Sequence, residues 1–597
     1  MENRKDFEIK KSYSNKIYKI EINEPDPLIK FEFKCSNGKK AIGSAFKIDK
    51  DVFAVKKYEK GIEITKKLGI KEHILGLGEK TLELDRRRSR VVMWNTDSYA
   101  YGKDTDPLYV SIPFFISVLN NKKMGVFVNY PGRIIFDIGI NRYDELSIRI
   151  EDDSVEIFII TGDTLNDIVR KFINLTGKPF KIPDWALGHS ISRYSYFPQE
   201  KVIEVLKEYK KNTTVDALYL DIDYMKKNRI FEWEEKYFKE PKKMIDQIHR
   251  MKTKVVTIVD PAIIIDQKDK IFLSGLGKYC ETDKNEIYVG DMWAGKCVFP
   301  DFLNKETRKW WGSLIKNWTR EYGIDGIWLD MNEPAVFNEE KTFESGVIHN
   351  LDDKRAENHQ KVHNAYSYFE AMATYSTLKN GFILSRAGYA GIQKYAAIWS
   401  GDSVSSWEDM KLQIPLLLSL SISGIPYVGC DIGGFVGKSD PELLARYYQM
   451  AAFFPIFRNH KSKEGNDQEI YNIEERQAER IKKAIKIRYL FMDYIKELAD
   501  NAHKYGDIII RPLLYEFESD ENAYRINDEY MLGKDVLFAP ILEKGEDSRE
   551  VYLPKEDWIE FETKREVNGP CYIRSSTDMP IFIRKNSGVI NKLNFSV

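Results

Sequence analysis

Asp330, Asn332 and Glu333 crowd two carboxylates and an amide onto the end of an apolar run, GIWLDMNEP at 326–334. Gly326 to Leu329 reads as a short buried strand, and Pro334 stops it. A carboxylate at the tip of such a strand can attack a carbon, stabilise a cation or carry a proton, according to its ionisation. On one strand alone, the same residues could merely cap the next loop. Other strands end in the same way, and that changes the reading. Asp221 and Asp223 close LYLDIDYM, and Asp260 closes VVTIVD. Arg386 follows FILS, Asp402 follows AIWSG, Asp431 follows YVGC, and Arg458 and His460 end FFPIFRNH. With one histidine among them and no Cys–His or HExxH pattern, these ends describe a carboxylate-lined pocket.

Such a pocket has two common uses. Oxygen-rich ligand sets hold divalent cations. Paired carboxyl groups cleave glycosides, one attacking or stabilising and the other protonating the leaving oxygen. No DxDxDG loop and no phosphate-cradling glycine loop is present. The aromatic residues near the acids (Trp328, Trp399, Trp407 and Phe435) favour a sugar over a metal–phosphate.

The elements that must position these groups follow a clear order. Residues 1–175 alternate apolar and polar positions between turns, as in FEIKKSYSNKIYKIEI, and VSIPFFISVLNNKKMGVFVNY reads as a hairpin turning at Asn120 to Lys122. An antiparallel β-sandwich is expected there. TLNDIVRKFINLTGKPF, 164–180, has helical spacing and reads as a linker. From about 183 to 500, eight apolar runs alternate with amphipathic segments such as QEKVIEVLKEYKKN and TRKWWGSLIKNWTREYG. That alternation predicts a (β/α)8 barrel over 176–506, with the chemistry at the C-terminal strand ends. The stretch 264–304 is too long for a loop and predicts an inserted subdomain after strand three. The connection 335–365 predicts a lid or loop near the pocket. Residues 507–597 return to short strands, a small C-terminal β-domain.

Composition narrows the classes. Lys+Arg at 91 against Asp+Glu at 92 leaves no field suited to nucleic acid or an anionic membrane. No apolar run reaches the ~18 residues of a membrane span, and the first residues lack a signal-peptide core. Five scattered cysteines without CxxC spacing argue against a disulfide framework or zinc site and predict a reducing cytoplasm.

WLDMNEP, followed 72 positions later by the acid of WSGDSVSSW, resembles glycoside hydrolase family 31, in particular its α-glucosidases. The resemblance extends over WNTD, LDIDYM, VDPAI, GDMWAGKCVFPDF, LSRAG, GCDIGGF, FPIFRNH and YMLGKDVLFAPI, in the family's order and across most of the chain. It implies Asp330 as nucleophile and Asp402 as general acid/base. It implies Asp221, Arg386 and His460 as ligands of sugar hydroxyls, with Asp97 brought to the pocket from the N-terminal domain. Tyr194, Ile263, Trp293, Trp328, Met331, Trp399 and Phe435 would contribute to the walls, and Glu333 and Asp431 would support the others. The resemblance implies retaining, exo-acting hydrolysis of terminal α-linked glucose from maltose or malto-oligosaccharides, without cofactor or metal. Tyr194 stands where many members have tryptophan, Ala294 replaces a proline, and Ser403 follows Asp402. These departures bear on sugar and linkage preference and leave the catalytic pair intact. The alternatives are an α-xylosidase or transglycosylase on the same scaffold, and, from another class, a non-catalytic carbohydrate-binding protein. Xylosidase-like members tend toward Asp-Phe-Gly-Glu where this chain has Asp330-Met331-Asn332-Glu333. A homo-oligomer stays open.

Overall fold

The structure is a computed structural model that describes residues 7–35, 38–378 and 381–593. Its centre is a parallel barrel of eight short strands: β1 (His189–Ile191), β2 (Ala217–Leu220), β3 (Lys254–Val259), β4 (Gly326–Leu329), β5 (Phe382–Ser385), β6 (Ala397–Trp399), β7 and β8 (Phe457–Asn459). β7 is broken at Cys430 into Val428–Gly429 and Asp431–Ile432. The first half pairs with β6 and the second with β8, so one interrupted strand closes the ring. Most of these strands are sealed on both faces, which is why they read as apolar runs rather than alternating ones. Close packing fixes Gly326: a Cβ there would lie 2.9 Å from the Phe382 carbonyl oxygen of β5.

Long helices cover seven of the eight strand connections or exits: α1 (Gln199–Asn212), α2 (Pro241–Arg250), α3 (Lys305–Tyr322), α4 (Tyr366–Tyr375), α5 (Trp407–Ile422), α6 (Pro441–Met450) and α7 (Glu475–Leu490). In α3, Asn304 caps the start by accepting the Glu306 N–H, and Gly323 ends the helix at φ 81°. Trp311 of α3 is buried and bonds Thr374, whereas Trp310 stays partly exposed and bonds Ser274. Between β5 and β6 the described chain has only the short turn Ile392–Lys394. Gly388–Tyr389 in that connection pairs instead with Val110–Ser111 of the N-terminal domain.

The N-terminal domain packs a seven-stranded against a six-stranded antiparallel sheet. Phe114–Leu119 and Lys122–Asn129 form the expected hairpin, with Asn120 at φ 52°. The segment read as a helical linker forms the helix Leu165–Thr176, capped by Thr164, and it is packed. Phe172 on it stacks on Phe114 at 3.9 Å, so the helix wedges the sandwich against the barrel rather than spacing them.

The inserted subdomain differs from expectation in one respect. Glu281–Thr282, from the first insert, pairs with Val347–Asn350, from the connection after β4, and Ala356–Asn358 completes that sheet. The two long connections therefore fold as one unit. At the C-terminus, a six-stranded antiparallel sheet and a two-stranded ribbon form the small β-domain. All five cysteines carry free thiols. No helix among the described residues is long and apolar enough to cross a membrane.

Candidate active site

The C-terminal ends of the barrel strands open into a cavity of about 470 Å³, within the ~300–1,000 Å³ typical of small-molecule sites. Its wall includes Asp97, Tyr194, Asp221, Trp293, Trp328, Asp330, Met331, Arg386, Asp402, Phe435 and His460. Apart from Asp97, which comes from the N-terminal domain, the acidic and basic groups converge because they follow parallel strands pointing the same way.

Arg386, at the tip of β5 and almost fully buried, organises the acids. Its Nε lies 2.9 Å from Glu333 Oε1 and 3.0 Å from Asp330 Oδ1. Its Nη2 donates to Glu333 Oε2 at 2.9 Å and to the Met331 sulfur at 3.0 Å, and Nη1 donates to Asp402 Oδ2 at 3.4 Å. Asp97 Oδ1 sits 3.6 Å from Nη2, and the Tyr109 ring lies beneath the guanidinium. One guanidinium thus touches four carboxyl groups. One positive charge cannot balance four negative ones in a cleft of low dielectric, so protons must remain on some of them.

The carboxyl groups differ in how strongly they hold a proton. Asp402 is pushed well above the usual aspartate range, by burial first, with Arg386 opposing and the charge of Asp330 reinforcing. Asp330 is raised as well, by burial, against Arg386 and the Met331 backbone N–H. Glu333 moves up to about 7 through burial, with Arg386 pulling the other way. Asp330 and Asp402 keep edges exposed to the cavity, 16% and 13%, so water tempers the desolvation of both. The Arg386 charge lowers Asp330, and burial exceeds it.

The backbone holds these tips firmly. The Arg386 N–H donates to Leu329 O, and Asn332 bridges to Ser385, Glu370 and the Ala387 N–H, stapling β4 to β5 and α4. Met331 occupies the left-handed region at φ 55°, which turns the chain sharply after Asp330. From the N-terminal domain, Ala100 N–H donates to Asp402 O, and Tyr101 bridges Ser403. These bonds dock the loop that delivers Asp97.

On the opposite wall, His460 Nε2 lies 3.5 Å from Asp221 Oδ2. Burial and the charge of Arg458 hold His460 well below its ordinary value, so the ring is neutral. It stacks on Phe435 at 5.1 Å and meets the Trp328 edge at 5.0 Å. Its Nδ1 lacks a hydrogen-bond partner among the described residues, and Asp97 Oδ1 has only its 3.6 Å ion pair with Arg386. Behind this wall, Arg458 bonds Asp431 at 2.6 Å and lies over Trp328 at 4.4 Å.

Two expected wall residues stand elsewhere. Ile263 is 2% exposed and pairs with Val298 in the insert, its side chain used for packing. Trp399, also 2% exposed, packs edge-on behind Trp328 and beside Arg458. Glu333 and Asp431 lie outside the cavity lining, each bound to an arginine. The cavity also recruits Tyr99, Ile222, Phe337, Ser462, Lys463 and Glu464, none of which had been singled out. Tyr99 lies two positions beyond Asp97, and Ser462 to Glu464 directly follow FRNH, so proximity to those motifs was the available signal. Phe337 lies in the connection after β4, and its ring meets Trp293 edge-on at 4.8 Å.

Comparison with known proteins places this arrangement. Residues 179–498 match the glycosyl hydrolases family 31 TIM-barrel domain. Residues 3–137 match that family's N-terminal galactose mutarotase-like domain, and 506–589 its C-terminal domain. The chain is 45% identical to an alpha-glucosidase of Saccharolobus solfataricus, over 97% of this chain and 87% of that one. It is 38% identical to alpha-glucosidase 2 of Bacillus thermoamyloliquefaciens, over 87% and 67%. Its fold superposes with a TM-score of 0.88 on a Flavobacterium johnsoniae dextranase mutant complexed with isomaltotriose, at 28% identity, covering 96% and 77%.

Proposed function

The chain belongs to glycoside hydrolase family 31 and is a glycoside hydrolase, and we propose that it removes terminal α-linked glucose from maltose or malto-oligosaccharides with retention of configuration. The observation that carries this reading is the placement of Asp330 and Asp402 against one guanidinium, facing one cavity, with Asp402 the stronger holder of a proton. In the first step Asp330, ionised, attacks the anomeric carbon while Asp402 gives its proton to the leaving oxygen. The C–O bond to the aglycone breaks as the Asp330 ester forms. In the second step Asp402, now a base, takes a proton from water, which displaces Asp330 and releases the sugar.

Arg386 serves both steps. It stabilises the Asp330 carboxylate before attack and after release, and Glu333 fixes its plane. Asp97, Asp221 and His460 offer acceptors and donors to the sugar hydroxyls, while Trp328 and Phe435 cover its C–H faces. The neighbouring alpha-glucosidases support glucose as the sugar. Five free thiols support action in the reducing cytoplasm.

The test is hydrolysis of a chromogenic α-glucoside and of maltose by the purified chain, with the first-formed anomer followed by NMR. The α-anomer is expected. Formation of the β-anomer would remove the double displacement. Faster turnover of an α-xyloside would replace glucose as the sugar, and longer products at high maltose would shift the balance to transglycosylation.

A further inference from the structure

A buried chain of three histidines runs from the inserted subdomain to the loop that carries Asp97. Asp301 Oδ1 lies 2.9 Å from His349 Nδ1, and His349 Nε2 lies 2.9 Å from His359 Nδ1. His359 Nε2 lies 2.8 Å from His363 Nδ1, and His363 Nε2 lies 2.7 Å from the Asn95 carbonyl oxygen. Each separation is a hydrogen-bond length, and all three rings are fully buried.

The chain can be counted in protons. It has four links and ends in two acceptors, a carboxylate and a carbonyl. Each link needs one hydrogen, and three neutral imidazoles carry three. Starting from Asn95, whose carbonyl can only accept, His363 must donate from Nε2 and accept at Nδ1. His359 must then donate from Nε2 and accept at Nδ1, and His349 must donate from Nε2. The last link, between His349 Nδ1 and Asp301 Oδ1, needs a fourth hydrogen, carried by one of these two atoms. The Asp301 carboxylate also accepts the backbone N–H groups of Asn350 and Leu303. Burial keeps His359 well below its ordinary value and takes His363 down to about 3, so neither ring takes the fourth proton.

Among the described residues, the rings packed against the cluster are aromatic. Trp94 stacks on His363 at 3.7 Å, with Arg133 beyond it over the same indole. Phe343 and Tyr366 flank His349 and His359, and Thr342 Oγ1 lies 3.5 Å from His363 Nδ1. The Cys280 sulfur sits 3.8 Å from His349 Nδ1, and burial together with Asp301 keeps it a thiol.

We infer that Asp301, His349, His359 and His363 form a proton-loaded chain, with His349 an imidazolium, that positions the loop presenting Asp97 to the pocket. Asn95 is two residues from Asp97, and its own amide groups bond Asn364 and Gly388. The His363 donor fixes the remaining polar group of that residue's backbone. The chain therefore links both inserts to a pocket wall. The positioning half rests on the glycosidase reading of the pocket, whereas the proton count does not.

Neutron diffraction from deuterated crystals of the intact chain at neutral pH tests the count. Deuterons are expected on both nitrogens of His349 and on Nε2 alone of His359 and His363. A single deuteron on His349, or a metal ion bound there, overturns the assignment. Asp301→Asn supplies an amide N–H to His349 and lets a neutral chain satisfy every link. Its histidine ¹⁵N spectrum should lose the doubly protonated imidazole expected in the wild type; persistence of that signal overturns the count. His363→Phe keeps the stack on Trp94 and cuts the link to Asn95. KM should rise about tenfold with kcat within about twofold, as for lost uniform binding. A folded His363→Phe enzyme with unchanged KM overturns the positioning role. An inactive wild type would instead sink the glycosidase reading and leave the neutron result standing.

Discussion

Glu333 grips Arg386 through two parallel bonds, Nε to Oε1 and Nη2 to Oε2, each 2.9 Å long, with both side chains sealed from water. The fork sets the plane of the guanidinium, and that plane decides how Nε and Nη1 meet Asp330 and Asp402. Glu333→Gln keeps the shape but turns one acceptor into a donor facing a donor. We predict that kcat/KM falls about 10–100-fold, as for other substitutions of supporting groups. The melting temperature should also fall, because breaking a buried pair costs about 3–5 kcal/mol. Steady-state kinetics and a thermal melt check both. Wild-type values in each would show that Arg386 is held without this fork.

The pH profile follows from the two aspartates. Activity needs Asp330 ionised, so it rises as pH climbs through that group's value. It needs Asp402 protonated, so it falls as pH climbs through the higher one. Burial raises both groups, and the charge of Asp97 raises both further. Asp97→Asn removes that charge, so both limbs of the kcat/KM profile should move to lower pH. A profile that keeps its limbs, or moves them upward, would show that Asp97 does not act on this pair.

Asp330 and Asp402 should separate by leaving group. Asp330→Ala should lose turnover on every substrate while melting close to the wild type, since its side chain borders the cavity rather than the core. Asp402→Ala should lose far less in the first step with a nitrophenyl glycoside than with maltose, because a good leaving group needs no proton. Pre-steady-state bursts measure that step directly. Equal losses on both substrates would remove the acid role.

Asp431 carries a different burden. It is about 1% exposed and bonds Arg458 at 2.6 Å, while burial pushes its own carboxyl up to about 6 despite that partner. Arg458 has no other carboxylate within ion-pair distance among the described residues, and it braces Trp328 and Trp399 from behind. Asp431→Asn should cost roughly 3–5 kcal/mol of stability at pH 7, the usual effect of orphaning a buried charge. Denaturant titration should reveal it as a lower midpoint at similar slope. An unchanged midpoint would mean that the aromatic rings alone accommodate the guanidinium.

The strand tips were legible because a buried parallel strand is apolar along its length and polar only where it ends, so LYLD, WLDMNE and FILSR announce their own geometry. What lay behind the wall was not. Trp399 follows the same strand logic as Trp328; the two indoles meet edge-on and both lie against Arg458, but of the two it is Trp328 that lines the cavity. Ile263 sits in a familiar motif, but its backbone pairs with Val298 and its side chain is buried in the core. The union of the two inserts depends on Glu281 meeting Ile348, a contact across 67 residues that no local pattern encodes. The pairing of Gly388–Tyr389, between β5 and β6, with Val110–Ser111 of the N-terminal domain is likewise a distant contact that no local pattern encodes.

The rim of the cavity predicts how chain length is read. Trp293 and Phe337, 46% and 45% exposed, meet edge-on where the two inserts face the pocket mouth. Exposed aromatic faces gain most when a sugar ring covers them. If glucose sits at the floor beside Asp330 and Asp402, these rings are left for the next residue of a malto-oligosaccharide to stack on. Trp293→Ala should therefore raise KM for maltotriose several-fold while leaving KM for a nitrophenyl glucoside within about twofold, the loss being about 1 kcal/mol of contact. Comparing the two substrates on the same variant cancels any effect on folding. Equal changes for both would assign Trp293 to the wall of the glucose pocket itself.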